Sequence, residues 1–311
     1  MNIVMSFVNS LPGACTQGLI WGLMAIGLYI TFRIINIADL TVDGSFATGG
    51  AVCVMLIRSG WNPILAMLMA FLAGLAAGFI TGILHTKCGI PAILSGILTQ
   101  FALYSINLRI LEGKANQAVS VQKYNLAFSS RYVRDISLDN PIIKIILLLA
   151  ITIGVLYWFF GTEIGCAIRA TGSNQNMSRA QGINTNFNIV LALMISNGLV
   201  ALAGGIFAQY QGSADINMGR GAIVIGLASV IIGEVIFGKI FRSFSLKLAA
   251  VSIGAIIYYL VITLVLRLGL NTDDLKLLTA AVVALFLAMP YWKSIIAQKK
   301  VKKVTGGNEN A

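Results

Sequence analysis

Long, nearly charge-free apolar runs leave this chain few ways to fold. "IIKIILLLAITIGVLYWFF" at 142–160 and "LKLAAVSIGAIIYYLVITLVL" at 246–266 each reach the roughly 20 residues that a helix needs to cross the hydrocarbon core. Length alone, 311 residues, would allow about two water-soluble domains. Composition overrules that: 58% of residues are hydrophobic and 11% charged, with mean hydropathy +0.87. A soluble domain is about a quarter charged, so this chain cannot cover a water-facing surface, and it is too apolar for disorder. Backbone polar groups in lipid must be satisfied internally. The expected fold is therefore all-α, a polytopic transmembrane helical bundle forming one domain over residues 1–311, multi-pass in the cell membrane and in contact with lipid.

Nine stretches qualify as spans, at about 13–32, 42–57, 62–84, 91–110, 141–160, 187–208, 221–237, 246–266 and 275–292. The second is short and follows the polar string "RIINIADLTVDGSF". Two acids and an arginine so near a span predict a broken helix or irregular backbone buried in protein. Nine spans put the termini on opposite sides. The tail, 293–311, carries Lys293, Lys299, Lys300, Lys302 and Lys303, which places the C-terminus in the cytoplasm by the positive-inside rule. Alternation then assigns twelve Lys/Arg to the inside and nine to the outside, with Arg109 in a span. The +11 net charge thus reports orientation and requires no nucleic-acid partner.

The four cysteines, Cys15, Cys53, Cys88 and Cys166, form no C-x-x-C pair and read as small buried hydrophobes. A lone His85 cannot build a histidine metal site. The start lacks a basic region and so does not resemble a cleaved signal peptide; a short interfacial helix ending at Pro12 is expected there. Gly74, Gly78 and Gly82 recur at four-residue steps, as do Gly18 and Gly22, and small residues at this spacing let membrane helices approach closely.

Three polar stretches remain. The outside loop at 111–140 holds Tyr124, Phe128 and Tyr132 at four-residue spacing, a candidate aromatic helix face that either packs on the bundle or docks an outside partner. The outer segment "AQYQGSADINMGRG" is either an ordinary loop or a lining of the outer mouth. The cytoplasmic loop at 161–186, "GTEIGCAIRATGSNQNMSRAQGIN", looks built rather than floppy. Gly172 is expected to break the preceding structure. Ser173 or Asn174 can cap a new helix, and Gly182 suits the left-handed residue that ends one. The result is a two-turn knob with Met177 and Ala180 on one face and Arg179 nearby.

This loop resembles the coupling helix of ABC transporter permeases of the branched-chain amino acid and sugar import family, whose pattern reads G-x-A-x-R-A-x-G-x-N-x-x-x-A-x-x-x-G-I. Gly165, Ala167, Arg169, Ala170, Gly172, Asn174, Gly182 and Ile183 occupy it, while Ala180 is offset by two places. The segment "IINIADLTVDGSFATGGAV" is similar to the family's G-G-I-D-L-S-V-G-S, through Asp39, Leu40, Val42, Gly44 and Ser45. The order of motifs, spans and loops agrees over most of the chain. Within the family the text is most similar to permeases of tryptophan- and tyrosine-type importers.

The resemblance implies the ABC importer permease fold, a transport subunit that is not itself an enzyme, and a homodimeric or pseudo-symmetric channel. It implies an ATP-binding partner chain that holds ATP and Mg²⁺, an extracellular substrate-binding protein, and movement of an amino acid by alternating access. Coupling to the ATPase would fall to Ser173, Asn174, Asn176, Met177, Arg179 and Gly182, and the pathway to Asn36, Asp39, Asp43 and Ser45. The sequence independently lacks a G-x-x-x-x-G-K-[ST] phosphate loop, so no cofactor is expected in this chain.

Asp39 and Asp43 also carry the alternatives. Spaced i, i+4, they would share a helix face, and with Asn36 they spell N-x-x-D-x-x-x-D, similar to the Mg²⁺ motif of membrane prenyltransferases. That enzyme family needs a second aspartate-rich motif. The remaining candidates for it, Asp215 alone and the pair Asp273 and Asp274, fall on the other side of the membrane. An ion-coupled secondary transporter is the other alternative, without a visible inverted repeat. Structurally, either aspartate could cap a broken helix or pair with Arg33. For Glu234 the expected partner is Lys239 or Arg242, with a gate or ATPase contact as the functional reading.

Overall fold

The apolar runs become helices because a chain in lipid has no other way to pair its backbone. The computed structural model describes residues 3–120, 124, 126–133, 139–238, 240–241, 243–267, 274, 277, 279–286 and 288. In chain order the helices are α1 (Ile3–Tyr29), α2 (Thr41–Arg58), α3 (Pro63–Thr86), α4 (Ala92–Ile110), α5 (Pro141–Gly161), α6 (Glu163–Ser173), α7 (Gln175–Ala180), α8 (Thr185–Gln211), α9 (Ala222–Phe237) and α10 (Phe244–Arg267). Asn62 and Asn140 start α3 and α5: each accepts from the backbone N–H two residues on, and each is followed by a proline, whose missing N–H costs nothing at that position.

Among the described residues, six helices are long and apolar enough to cross a membrane: Phe7–Ile34, Pro63–Thr86, Ala92–Ile110, Pro141–Gly161, Thr185–Gln211 and Phe244–Arg267. Six of the nine expected stretches correspond to these helices, and the count of nine is not confirmed. Residues 42–57 lie in α2, an 18-residue helix outside that group, and residues 221–237 in α9, of 16 residues. The ninth stretch, 275–292, and the tail lysines lie largely outside the described residues. Pro12 does not end a helix but sits inside α1, where Thr16 Oγ1 donates to the Pro12 carbonyl (2.7 Å).

The centre of the bundle is α8, which packs on α2 and α3, with α1 between α8 and α10. The glycine stripe explains how closely. A Cβ at Gly74 or Gly78 would run into the carbonyl of Asn197 or Leu193 on α8, and Gly18 and Gly22 face Ile256 and Ser252 of α10 somewhat less tightly. Hydroxyl contacts add to this packing: Thr41 Oγ1 lies 2.8 Å from Thr81 Oγ1, which donates to Thr99 Oγ1 (2.9 Å), joining α2, α3 and α4. On the outside of the bundle α5 turns Leu147 and Trp158 outward, 62% and 71% exposed, a face suited to lipid.

At one end of the bundle, residues 116–118 (β1) pair antiparallel with 213–215 (β2). The candidate aromatic helix at 111–140 is not found among the described residues. The described part holds β1, bends and a 3₁₀ turn at Ser130–Tyr132. Phe128 is buried, Tyr124 Oη donates to the Arg58 carbonyl (3.3 Å), and Gln209 Oε1 accepts from Ala127 N (3.1 Å), so this loop is tied onto the bundle. At the opposite end lie α6, α7, Arg33 and Lys247. The cysteines are free; Cys53 is buried, whereas Cys88 and Cys166 are exposed, against the uniformly buried expectation.

Candidate functional site

Two polar interruptions of the apolar pattern meet inside the bundle. After α1 the chain widens into a π-turn at Ile30–Ile34, runs irregularly from 35 to 40 with Asn36 in the left-handed region (φ 60°), and re-enters helix at Thr41. Asp39 lies in this irregular stretch and is 1% exposed. Its Oδ1 accepts from Thr41 N (2.9 Å) and its Oδ2 from Asn197 Nδ2 (2.7 Å). Asn197 also donates to the Leu193 carbonyl (3.0 Å) and accepts from Ser45 Oγ (2.7 Å). Twelve residues separate Asn197 from the start of α8 and fourteen from its end. At 1.5 Å per residue that is about 18–21 Å from either end, so α2 begins at mid-depth.

The second interruption follows β2. Residues 216–221 descend from the strand pair, and α9 starts at Ala222 beside the first turn of α2. Asp43 Oδ2 accepts from Gly221 N and Oδ1 from Ile223 N, both at 3.0 Å. A carboxylate thus caps the positive N-terminal end of α9. Two helices that start inside the bundle are therefore held by two aspartates, Asp39 through α8 and Asp43 through α9. Non-helical backbone at such depth is tolerated only where protein or a cavity surrounds it.

Several expectations about these residues change accordingly. Asp39 precedes α2 while Asp43 lies in its first turn, so they share no helix face and cannot act as one paired carboxylate motif. Arg33 does not reach Asp39 but pairs with Glu234 on α9, which accordingly has this partner; Lys239 and Arg242 lie outside the described residues. Of the four pathway candidates, Asp39 and Ser45 come together through Asn197, Asp43 stands apart in α2 and caps α9, and Asn36 is exposed on the irregular turn. The "AQYQGSADINMGRG" segment is also no simple loop: Gln209 is 1% exposed and bonded to Cys53 Sγ and the outer loop. Asn197 escaped the sequence reading, although a lone asparagine in the middle of "LMISNGLVALAGG" is the kind of polar residue inside a span that carries information.

The knob at the other end is built differently from expectation in one place. Gly172 does not break α6, which continues to Ser173; its missing Cβ instead lets α6 lie directly on the Ile34 carbonyl. Asn174 then caps α7, accepting from Met177 N (3.0 Å). Gly182 (φ 79°) closes α7: its N–H donates to the Arg179 carbonyl and Ile183 N to the Ser178 carbonyl, both at 3.0 Å, a Schellman ending. Met177 is 50% exposed. Ser173, Asn174, Asn176 and Arg179 are also exposed, and Arg179 Nε donates to Thr185 Oγ1 (2.9 Å), tying α7 to α8. Asn188 Nδ2 donates to Thr171 Oγ1 (3.0 Å), so α6 is anchored on α8 as well.

A membrane bundle with two helices starting at mid-depth and a capped knob at one end fits a multi-pass transport protein. The chain belongs to the family described as "Branched-chain amino acid transport system / permease component", whose sequence pattern matches residues 11–292. It is 41% identical over 281 residues to the tyrosine transport system permease protein of Clostridioides difficile (strain R20291), covering 90% of this chain and 91% of that one. It is 28% identical to the D-allose transport system permease protein of Escherichia coli (strain K12), over 80% of this chain and 74% of that one. It is 31% identical to an autoinducer 2 import system permease protein of Yersinia enterocolitica, over 68% of this chain and 57% of that one. No solved structure matches. The chain is accordingly a multi-pass membrane transport subunit and not an enzyme, and the family implies an ATP-binding subunit and a substrate-binding protein as partners.

Proposed function

We propose that this chain is the permease of an importer for an aromatic amino acid, tyrosine first among them. The reading is carried by the 41% identity, over nine-tenths of the chain, to a relative whose name gives tyrosine as its cargo. The importer would use two copies of this chain with their α7 ends in the cytoplasm, where the partner ATPase binds ATP and Mg²⁺, and with the β1–β2 end facing the binding protein.

α7 is the proposed contact with the ATPase, through Ser173, Asn174, Asn176, Met177, Arg179 and Gly182. The path inward is short. α7 follows α6, α6 rests on the Ile34 carbonyl at Gly172, and Ile34 leads into the irregular stretch that ends at Asp39. A push on α7 would therefore reach the start of α2, and through Asp43 the start of α9, both at the depth where a pathway would open and close. Asn36, Asp39, Asp43 and Ser45 act in this scheme as the hinge and rim of that pathway.

Met177→Asp tests the coupling role. Its side chain stands half in solvent, so the change should leave insertion and thermal stability as they are, while ATP-driven uptake in proteoliposomes falls at least tenfold. Uptake at the wild-type rate would remove α7 from the coupling role.

A further inference from the structure

Outside the hydrogen-bonded network, a cavity of about 260 Å³ opens between α2, α4 and the 216–220 turn. It is slightly below the roughly 300–1,000 Å³ of pockets that hold drug-sized ligands, so its occupant must be small. Three features of its wall are unusual for a place where helices simply fail to touch. Asn107 is 1% exposed, yet its Oδ1 has no hydrogen-bond partner among the described residues. A buried carbonyl oxygen left unpaired costs about 1–3 kcal/mol. Arg220 also lines the cavity, without an acidic partner among the described residues. Asp43 forms part of the wall too; its two oxygens cap α9, and a carboxylate has about four lone-pair positions, so it retains room for another donor. The aromatic side chains of Phe101 and Tyr104 complete the wall with Gln100.

We propose that this cavity is a transit site for a free α-amino acid zwitterion, an inference that rests on the amino-acid reading above. Arg220 receives the carboxylate. The ammonium group donates to the unpaired Asn107 oxygen and to Asp43. The side chain lies against Phe101 and Tyr104. The arrangement explains three otherwise costly features together: an unpaired buried acceptor, an arginine with no acidic partner, and a half-used carboxylate. It also joins substrate to mechanism, because Asp43 belongs at once to the cavity wall and to the cap of α9.

The test is saturation binding of tritiated L-tyrosine to the full chain in lipid nanodiscs, without ATPase or binding protein, beside uptake by the reconstituted importer. The expected result is saturable binding that weakens at least tenfold in Arg220→Gln and in Asn107→Leu, with Arg220→Lys retaining part of it. Asn107→Leu should melt no lower than wild type, since it deletes an unsatisfied group; should it fail to fold, the Arg220 pair alone decides. A wild type that imports tyrosine but shows no binding, or variants that bind as wild type does, would overturn the site and leave the amino-acid reading standing. A wild type that imports a sugar and no amino acid would overturn that reading and the zwitterion site with it.

Discussion

Asn197→Leu is expected to leave little folded protein. The asparagine occupies the middle of α8, where its amide holds Asp39 and Ser45 at once. Leucine would match its apolar neighbours but would strand two buried polar side chains, each at a cost of about 1–3 kcal/mol or more where a carboxylate is involved. The sum, roughly 2–6 kcal/mol, reaches the lower end of the about 5–15 kcal/mol that holds a whole domain folded. Asp39→Asn should be milder. Its carbonyl can still accept from Thr41 N, and a turned-over Asn197 amide can accept from its NH₂ group and donate to the Ser45 hydroxyl, at the loss of only the Asn197 bond to the Leu193 carbonyl. Monodisperse yield and melting temperature in detergent check the pair: a near-total loss for Asn197→Leu with a small drop for Asp39→Asn is expected, and equal behaviour would show that the network does not hold the break in place.

Gly49→Val is expected to act as severely, for a steric reason. At Gly49 the α2 backbone meets the α8 backbone so closely that a Cβ would overlap the Ala201 carbonyl. Overpacking usually costs about 1–3 kcal/mol where side chains can yield; here the obstacle is backbone, so the cost should reach or pass the top of that range. Gly154→Ala is the internal control. Gly154 lies in α5 with nothing within 4 Å of its missing Cβ, and alanine there should gain up to about 1 kcal/mol of helix preference. Melting temperatures of the two variants separate close packing from a general intolerance of change at glycine.

These residues also show what was legible from sequence. The long spans, α3, α5, α8 and α10, were visible because lipid imposes one periodicity-independent rule, about 20 apolar residues in a row. The glycine stripe was visible because close packing needs small residues at helical spacing. The ends of α7 were visible because Asn174 and Gly182 do local jobs that depend on their own side chain or backbone. What stayed hidden depends on partners far apart in the chain. Arg33 lies 201 residues from Glu234, Asp43 178 from Gly221 and Asp39 158 from Asn197, and no local pattern predicts such meetings. Gly172 misled because a helix glycine can mean a break or a close contact. Pro12 misled because α1 tolerates the one lost hydrogen bond. The break before α2 was expected from its charges, whereas the matching break before α9 was not, since "INMGRG" carries a single charge and reads as a loop.

The most direct test of the whole account is accumulation of a labelled solute in proteoliposomes that contain this chain, its partner ATPase and the matching binding protein. ATP-dependent accumulation of L-tyrosine, with D-allose excluded, is the predicted result. Accumulation of D-allose in place of tyrosine, or tyrosine entry that proceeds equally without ATP, would contradict it.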